Sequence, residues 1–130
     1  MIVLDTHAWI WLLTVPEELS AAARTAVENA PGHRQLVISA ISVWELFMLV
    51  KKGRLELTVP PAAFVTATNR DPRFQVIPVD DKIARRSVEL PDIHGDPADR
   101  MILGTASEVG APIVSKDGRF GEYGLVPVVW

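Results

Sequence analysis

The sequence predicts an α/β domain built on a mainly parallel central sheet of four to five strands, with helices on both faces. Short apolar, β-branched runs alternate along the whole chain with segments of helical periodicity, and strands connected through helices pair in parallel. The first such run, Ile2-Val3-Leu4, stops abruptly on the carboxylate of Asp5. Open parallel sheets bind their ligands just beyond the carboxyl ends of the strands, so an acid at that point stands where chemistry is usually done. The 130 residues contain no repeat, low-complexity tract or linker, and residues 1–130 are read as one unit with length enough to bury a core.

Each element has a local reason. After the opening strand, Trp9 to Leu13 is a short apolar stretch that Pro16 interrupts. A helix is expected from about Leu19 to Ala30, where Leu19, Ala22, Ala23, Ala26, Val27 and Ala30 recur at helical spacing, with Ser20 as N-cap and Pro31-Gly32 as the stop. Leu36-Val37-Ile38 reads as a second buried strand and Ser39 as the cap of a helix from about Ala40 to Lys52. A shorter helix over Ala62–Asn69 follows the turn-rich connection 53–61. Gln75–Val79 reads as a third strand despite Pro78, which suggests an edge position or a strand end. Asp80 or Asp81 then caps a helix reaching Leu90, stopped by Pro91, and residues 92–96 form a polar loop. From Pro97 a helix buries Met101, Ile102, Thr105, Ala106 and Val109 and stops at Gly110. Pro112-Ile113-Val114-Ser115 is a fourth strand and Val126–Val129 a fifth.

Composition excludes several classes. A chain with 48% hydrophobic and 22% charged residues is not disordered. The absence of cysteine removes disulfides, thiolate metal sites and a cysteine nucleophile, and fits a reducing compartment. No stretch has the apolar length of a membrane span, and Asp5 interrupts the early apolar run that a signal peptide needs, so a cytoplasmic protein is expected. The net charge of −3 offers a polyanion no overall attraction. Local basic groups exist at Lys51, Lys52 and Arg54, and at Lys82, Arg85 and Arg86.

The helix beginning at Ala40 is apolar nearly all round, which predicts burial on two sides, the second against a subunit or partner. Its one interior charge, Glu45, requires a partner or a metal. Selecting acids that fall at the carboxyl edge of a strand, or on a helix turn facing that edge, retains Asp5, Glu45, Asp99 and Asp117 out of 16 Asp and Glu residues. Singly, each has a structural use. Asp5 can cap a turn, Asp99 suits the first turn of a helix capped by Asp96, and Asp117-Gly118 is a turn dipeptide. Together they form a self-repelling group that protons or cations must neutralise, with Lys116 and Arg100 nearby as counter-charges. Oxygen donors without cysteine suit Mg²⁺ or Mn²⁺.

The segments Ile2-Val3-Leu4-Asp5-Thr6-His7, Ser42-Val43-Trp44-Glu45-Leu46, His94-Gly95-Asp96-Pro97-Ala98-Asp99-Arg100-Met101-Ile102 and Val114-Ser115-Lys116-Asp117 resemble, in order and spacing, the four signature blocks of PIN-domain ribonucleases, and in particular the VapC toxins of toxin–antitoxin pairs. The resemblance implies metal-binding catalytic acids at Asp5, Glu45, Asp99 and Asp117, a capping role for Asp96, and a small hydroxyl at Thr6 that orients the first acid or a water. It further implies divalent-metal hydrolysis of RNA to 3′-hydroxyl and 5′-phosphate ends, a homodimer, and a cognate antitoxin in an apolar groove near the site. RNA phosphates are expected at Lys51, Lys52, Arg54, Arg85 and Arg86. His7 is read as hydrogen-bonding locally, His33 and His94 are given no role, and Trp9, Trp11 and Trp44 are assigned to core or interface rather than to base stacking. Two other readings are a receiver-like phospho-acceptor domain, which needs an acidic pair after the first strand where this chain has Asp80-Asp81 after the third, and a catalytically silent PIN-like interaction protein.

Overall fold

The computed structural model describes residues 1–30 and 32–130, so the expected helix stop at Pro31 lies outside the described residues. Five strands form one sheet: β1 (Ile2–Leu4), β2 (Leu36–Ser39), β3 (Phe74–Ile77), β4 (Ile113–Val114) and β5 (Val128–Val129). Their order is β3-β2-β1-β4-β5 and every pairing is parallel. In the centre, Val3 is in register with Val37 on one side and with Ile113 on the other. All residues of β1, β2 and β4 are buried, which is why they read as unbroken apolar runs. β3 does lie at an edge and ends before Pro78.

Alternation along β1 divides the interior in two. Ile2 and Leu4 point into a core with Trp9, Ile38, Leu46 and Phe64, whereas Val3 joins Val37, Ile102, Leu103, Ile113 and Phe120 on the opposite face. The Trp9 indole is fully buried, packs against Phe64 at 5.2 Å between ring centroids and donates its N–H to Thr68 Oγ1 at 3.1 Å. Trp9→Ala is expected to cost about 3–5 kcal/mol in urea unfolding, the range for emptying a large aromatic site. A cost below about 1 kcal/mol would show that this core collapses around the loss.

Trp9 lies on a helix that the sequence reading treated only as an apolar stretch: α1 spans Thr6–Thr14, immediately after β1. Its apolar run, Ala8–Leu13, is only six residues long, too short for a helical period to stand out. Asp5 is its N-cap, with Oδ1 accepting the Ala8 N–H at 2.8 Å, so the acid that ends the strand also begins the helix. A single 3₁₀ turn, Pro16–Glu18, leads to α2 (Ala21–Glu28), capped by Ser20 as expected though shorter than the predicted span.

The third helix, α3 (Ala40–Lys51), is capped by Ser39. Within this chain it is not enclosed on two sides. Ser42 and Leu46 are its buried residues, while Trp44 is 57% and Phe47 42% exposed. α4 (Pro61–Arg70) covers the Trp9 core. α5 (Asp81–Glu89) is capped by Asp80, whose Oδ1 accepts the Ile83 N–H at 2.9 Å. α6 (Pro97–Val109) packs closely on α5 at Gly104, where a Cβ would meet the Ile83 carbonyl at 3.3 Å. It stops at Gly110, whose φ of 67° supplies the left-handed cap. The short α7 (Arg119–Glu122) precedes β5. Among the described residues no helix is long and apolar enough to cross a membrane.

Candidate metal centre

The chain lays β2 and β3 on one side of β1 and β4 and β5 on the other, so the strand order reverses between β1 and β4. In an open parallel sheet that reversal opens a crevice at the carboxyl ends of the two strands. Asp5 follows β1 and Ser115 follows β4, and the Asp5 N–H donates to the Val114 carbonyl at 3.1 Å across the junction. Ser115, fully buried, donates its hydroxyl to Asp5 Oδ2 and accepts the Asp117 N–H at 3.0 Å. One hydroxyl thereby links the first acid to the last. It was not singled out in the sequence, and its only signal there is a small polar residue closing a buried strand.

Glu45 is brought in by α3 and held from α1. The Thr6 hydroxyl lies 2.5 Å from Glu45 Oε1 and 2.9 Å from Ser42 Oγ. With one proton to give, Thr6 donates to the carboxylate and accepts from Ser42. Thr6 therefore orients Glu45 rather than the neighbouring Asp5, a correction to the sequence reading. Asp99 sits in the first turn of α6, where Asp96 caps as expected, Oδ1 accepting the Asp99 N–H at 3.1 Å.

His94, given no role from the sequence, lies at the centre of this group. It is buried, with Nε2 2.7 Å from Asp99 Oδ2 and 3.3 Å from Asp117 Oδ2, yet in line for a hydrogen bond with neither. Its Nδ1 accepts the Asp96 N–H at 3.2 Å, which places the ring proton on Nε2. Nε2 and one oxygen each of Asp99 and Asp117 lie within 4.8 Å of one another, a set that could hold a cation once Nε2 is unprotonated. Arg100 holds its loop in place. The guanidinium donates to the carbonyls of Ser87, Leu90, Pro91 and His94, and so ends α5 and fastens residues 90–94 instead of serving the acids as a counter-charge.

The electrostatics follow from this placement. Burial pushes the Asp5 and Glu45 carboxyls up, against the opposing pull of the Ser115 and Thr6 hydrogen bonds. Burial, then the charges of Asp96 and Glu45, push Asp99 up to about 7. Asp117 behaves oppositely. Arg119 donates to both its oxygens, at 2.8 and 3.0 Å, and holds it at about 2. Arg119 is the counter-ion that the sequence reading had sought at Lys116 and Arg100. Removing it, as in Arg119→Ala, is expected to tighten Mn²⁺ binding severalfold by calorimetry, since a cation then meets an uncompensated Asp117. An unchanged constant would show that the guanidinium does not compete.

Among the described residues, one ligand atom each of His94, Asp99 and Asp117 lies within 4.8 Å of the others, and Asp5 and Glu45 stand near enough for their charges to act on Asp99; an oxygen-rich set of this kind fits a divalent cation. Lys51, Lys52 and Arg54 are not brought here. They lie at the far end of α3, whose 12 residues span about 18 Å from the sheet edge. Arg85 and Arg86 on α5 pair with Glu89 and Glu108. His7 makes no side-chain hydrogen bond among the described residues and instead faces the Trp11 ring.

A family model described as PIN domain matches residues 2–125. The chain belongs to the PIN domain family. Over 119 residues it is 35% identical to ribonuclease VapC22 of Mycobacterium tuberculosis, covering 91% of this chain and 88% of that protein. In fold, this PIN domain resembles VapBC2 from Rickettsia felis, solved bound to a promoter DNA fragment, with a TM-score of 0.71 at 18% identity over 98% of this chain and 97% of that one. It also resembles Mycobacterium tuberculosis VapC20, a toxin that cleaves the sarcin-ricin loop, with a TM-score of 0.69 at 18% identity over 100% of both chains. The fold expected from the signature blocks is thus borne out, and the receiver reading is set aside. In this PIN domain the pair Asp80-Asp81 is spent on starting α5 at the β3 edge, away from the β1–β4 crevice.

Proposed function

We infer that this PIN domain is a divalent-metal-dependent endoribonuclease and the toxin of a toxin–antitoxin pair, with Mg²⁺ or Mn²⁺ held by Asp5, Glu45, Asp99 and Asp117. What supports the reading is membership of the PIN domain family and 35% identity along most of the chain to a ribonuclease, together with Asp99 and Asp117 brought beside His94 and charges of Glu45 and Asp5 that act on Asp99. A bound ion supplies the Lewis acidity that phosphodiester hydrolysis needs at neutral pH. The chain's own contribution is position. Ser115 and the start of α1 fix both oxygens of Asp5, Thr6 fixes Glu45, and the Asp96 cap fixes the turn that carries Asp99. His94 stands beside both acids, with Nε2 2.7 Å from Asp99 and 3.3 Å from Asp117.

The partner is a cognate antitoxin, as in the VapBC complexes that the fold resembles. Its segment fits the largely apolar groove of about 270 Å³ lined by Ile41, Trp44, Pro97 and Ala98, which has Glu45 and Asp96 on its border. The exposed face of α3, with Trp44 and Phe47, suits burial by this segment or in a homodimer. Lys51, Lys52 and Arg54 form no ion pair among the described residues and are available to RNA phosphate, and the protein works in the cytoplasm. The test is incubation of the purified protein with total RNA, with and without Mg²⁺ or Mn²⁺. Cleavage that appears only with the cation, and is suppressed by the product of the adjacent gene, is the expected result. RNA left intact under all conditions overturns the reading.

A further inference from the structure

We propose that His7, Trp11, Trp130 and Lys116 form a stacking platform that holds an unpaired RNA base beside the acids. This rests on the ribonuclease reading and adds to it the part of the substrate that is gripped. His7 and Trp11 stand one turn apart on α1, with ring centroids 5.6 Å apart. Trp130, directly after β5, continues the group at 5.8 Å from Trp11. The Lys116 ammonium lies 6.0 Å from the centre of the Trp11 ring. His7 and Lys116 are exposed, while Trp11 and Trp130 are half-buried against the Trp9 core. The two indoles are thus anchored on one side and reachable on the other.

Both ends of the platform are covalently next to the acids. His7 is two residues past Asp5, and Lys116 immediately precedes Asp117. A strand of RNA whose phosphate lies at the crevice therefore has a neighbouring base within reach of these rings. Single-strand binders combine aromatic faces with positive charge, because every base has a π-face and every linkage a phosphate. Lys116, a mobile point charge at the rim, suits the phosphate next to the stacked base. The need for such a grip is physical. The chain carries a net charge of −3 and concentrates acids in the crevice, so RNA must be held by local contacts that do not depend on overall attraction. The other tryptophans lack this setting: Trp9 is fully buried and Trp44 projects from α3.

The experiment measures KM, kcat and the salt dependence of KM for a single-stranded oligoribonucleotide with Mg²⁺, using His7→Ala, Trp11→Leu, Trp11→Phe and Lys116→Gln, with circular dichroism to establish folding. Trp11→Leu is expected to raise KM by about 5- to 150-fold, the range for losing a stacked base, with kcat little changed and Trp11→Phe largely restoring it. Lys116→Gln is expected to raise KM and lower the salt slope by about 1. His7 and Lys116 are exposed, so these variants remain informative if Trp11→Leu fails to fold. Unchanged KM and salt slope in folded His7→Ala and Lys116→Gln, with a wild-type protein that cleaves, overturns the platform and leaves the ribonuclease reading standing. A wild type that does not cleave overturns the ribonuclease reading itself. Weakened antitoxin binding in these variants with unchanged KM assigns the surface to the protein partner and also overturns the proposal.

Discussion

Asp99→Asn is expected to reduce metal-dependent RNA cleavage to background while leaving a folded protein at least as stable as the parent. The amide keeps the shape of the carboxylate but removes the charge that a cation needs. Nothing in the fold depends on that charge. The α6 cap belongs to Asp96, and the contribution of a first-turn acid to the helix dipole is only about 0.3–1 kcal/mol. Against that loss stands relief of a buried charge and of its repulsion from Asp96, Glu45 and Asp5, which together drive Asp99 to hold a proton up to about pH 7. Asp5→Asn should behave alike in activity, because asparagine caps a helix as well as aspartate does and α1 keeps its start. Thermal unfolding and cleavage in Mn²⁺ check both variants. Full metal-dependent activity in the two folded proteins would sink the assignment of the acids.

The second large effect concerns pH. Asp99 titrates at about 7 in the folded chain, against an ordinary carboxyl near 3.9 when unfolded. Between those values the folded state holds the additional proton, so stability falls as pH rises from about 4 to about 7 and levels off above. Asp5 and Glu45 are shifted in the same direction by burial. Asp117, held at about 2 by Arg119, works the other way, and its contribution is lost only as pH falls from the ordinary carboxyl range toward 2. A cation competes with the protons on the raised acids and stabilises the fold by mass action, so its affinity increases over the window in which they are shed. The unfolding temperature of the chelated protein should decline from about pH 5 to about pH 8, and the increment produced by Mn²⁺ should grow over the same interval. A metal increment that stays constant with pH would show that these carboxyls do not receive the ion.

Much of the architecture was legible because the physics involved is local. A strand buried on both faces must be apolar throughout, and helix starts at Ser20, Ser39 and Asp96 are marked by side chains that accept a backbone hydrogen. α1 escaped because its apolar run, Ala8–Leu13, is short and follows β1 with no turn between them, and a short apolar run does not distinguish helix from strand. Asp5, Asp99 and Asp117 do stand at strand ends and a helix start, where the sequence placed them. Their partners were not legible. Ser115 is an ordinary strand-end residue until the β1–β4 pairing sets it against Asp5, His94 meets Asp117 only through the tertiary fold, and Arg119 folds back on Asp117 two residues before it in a turn whose side-chain directions the sequence does not reveal. Arg100 misled for the same reason, since adjacency in sequence to Asp99 does not reveal that its guanidinium is turned toward the backbone of residues 87–94.

The central position of β1 has a consequence for synthesis. The Ser115 hydroxyl that fixes Asp5 lies 110 positions after it, and β1 has a neighbour on only one side until β4 is made. Contacts so distant in sequence form late, after a long loop has closed. A nascent chain on the ribosome therefore carries the first acid without the crevice, and a fragment ending before β4 has neither Ser115 nor Asp117 to complete it. The order of the strands delays assembly of the β1–β4 crevice until β4 has been translated.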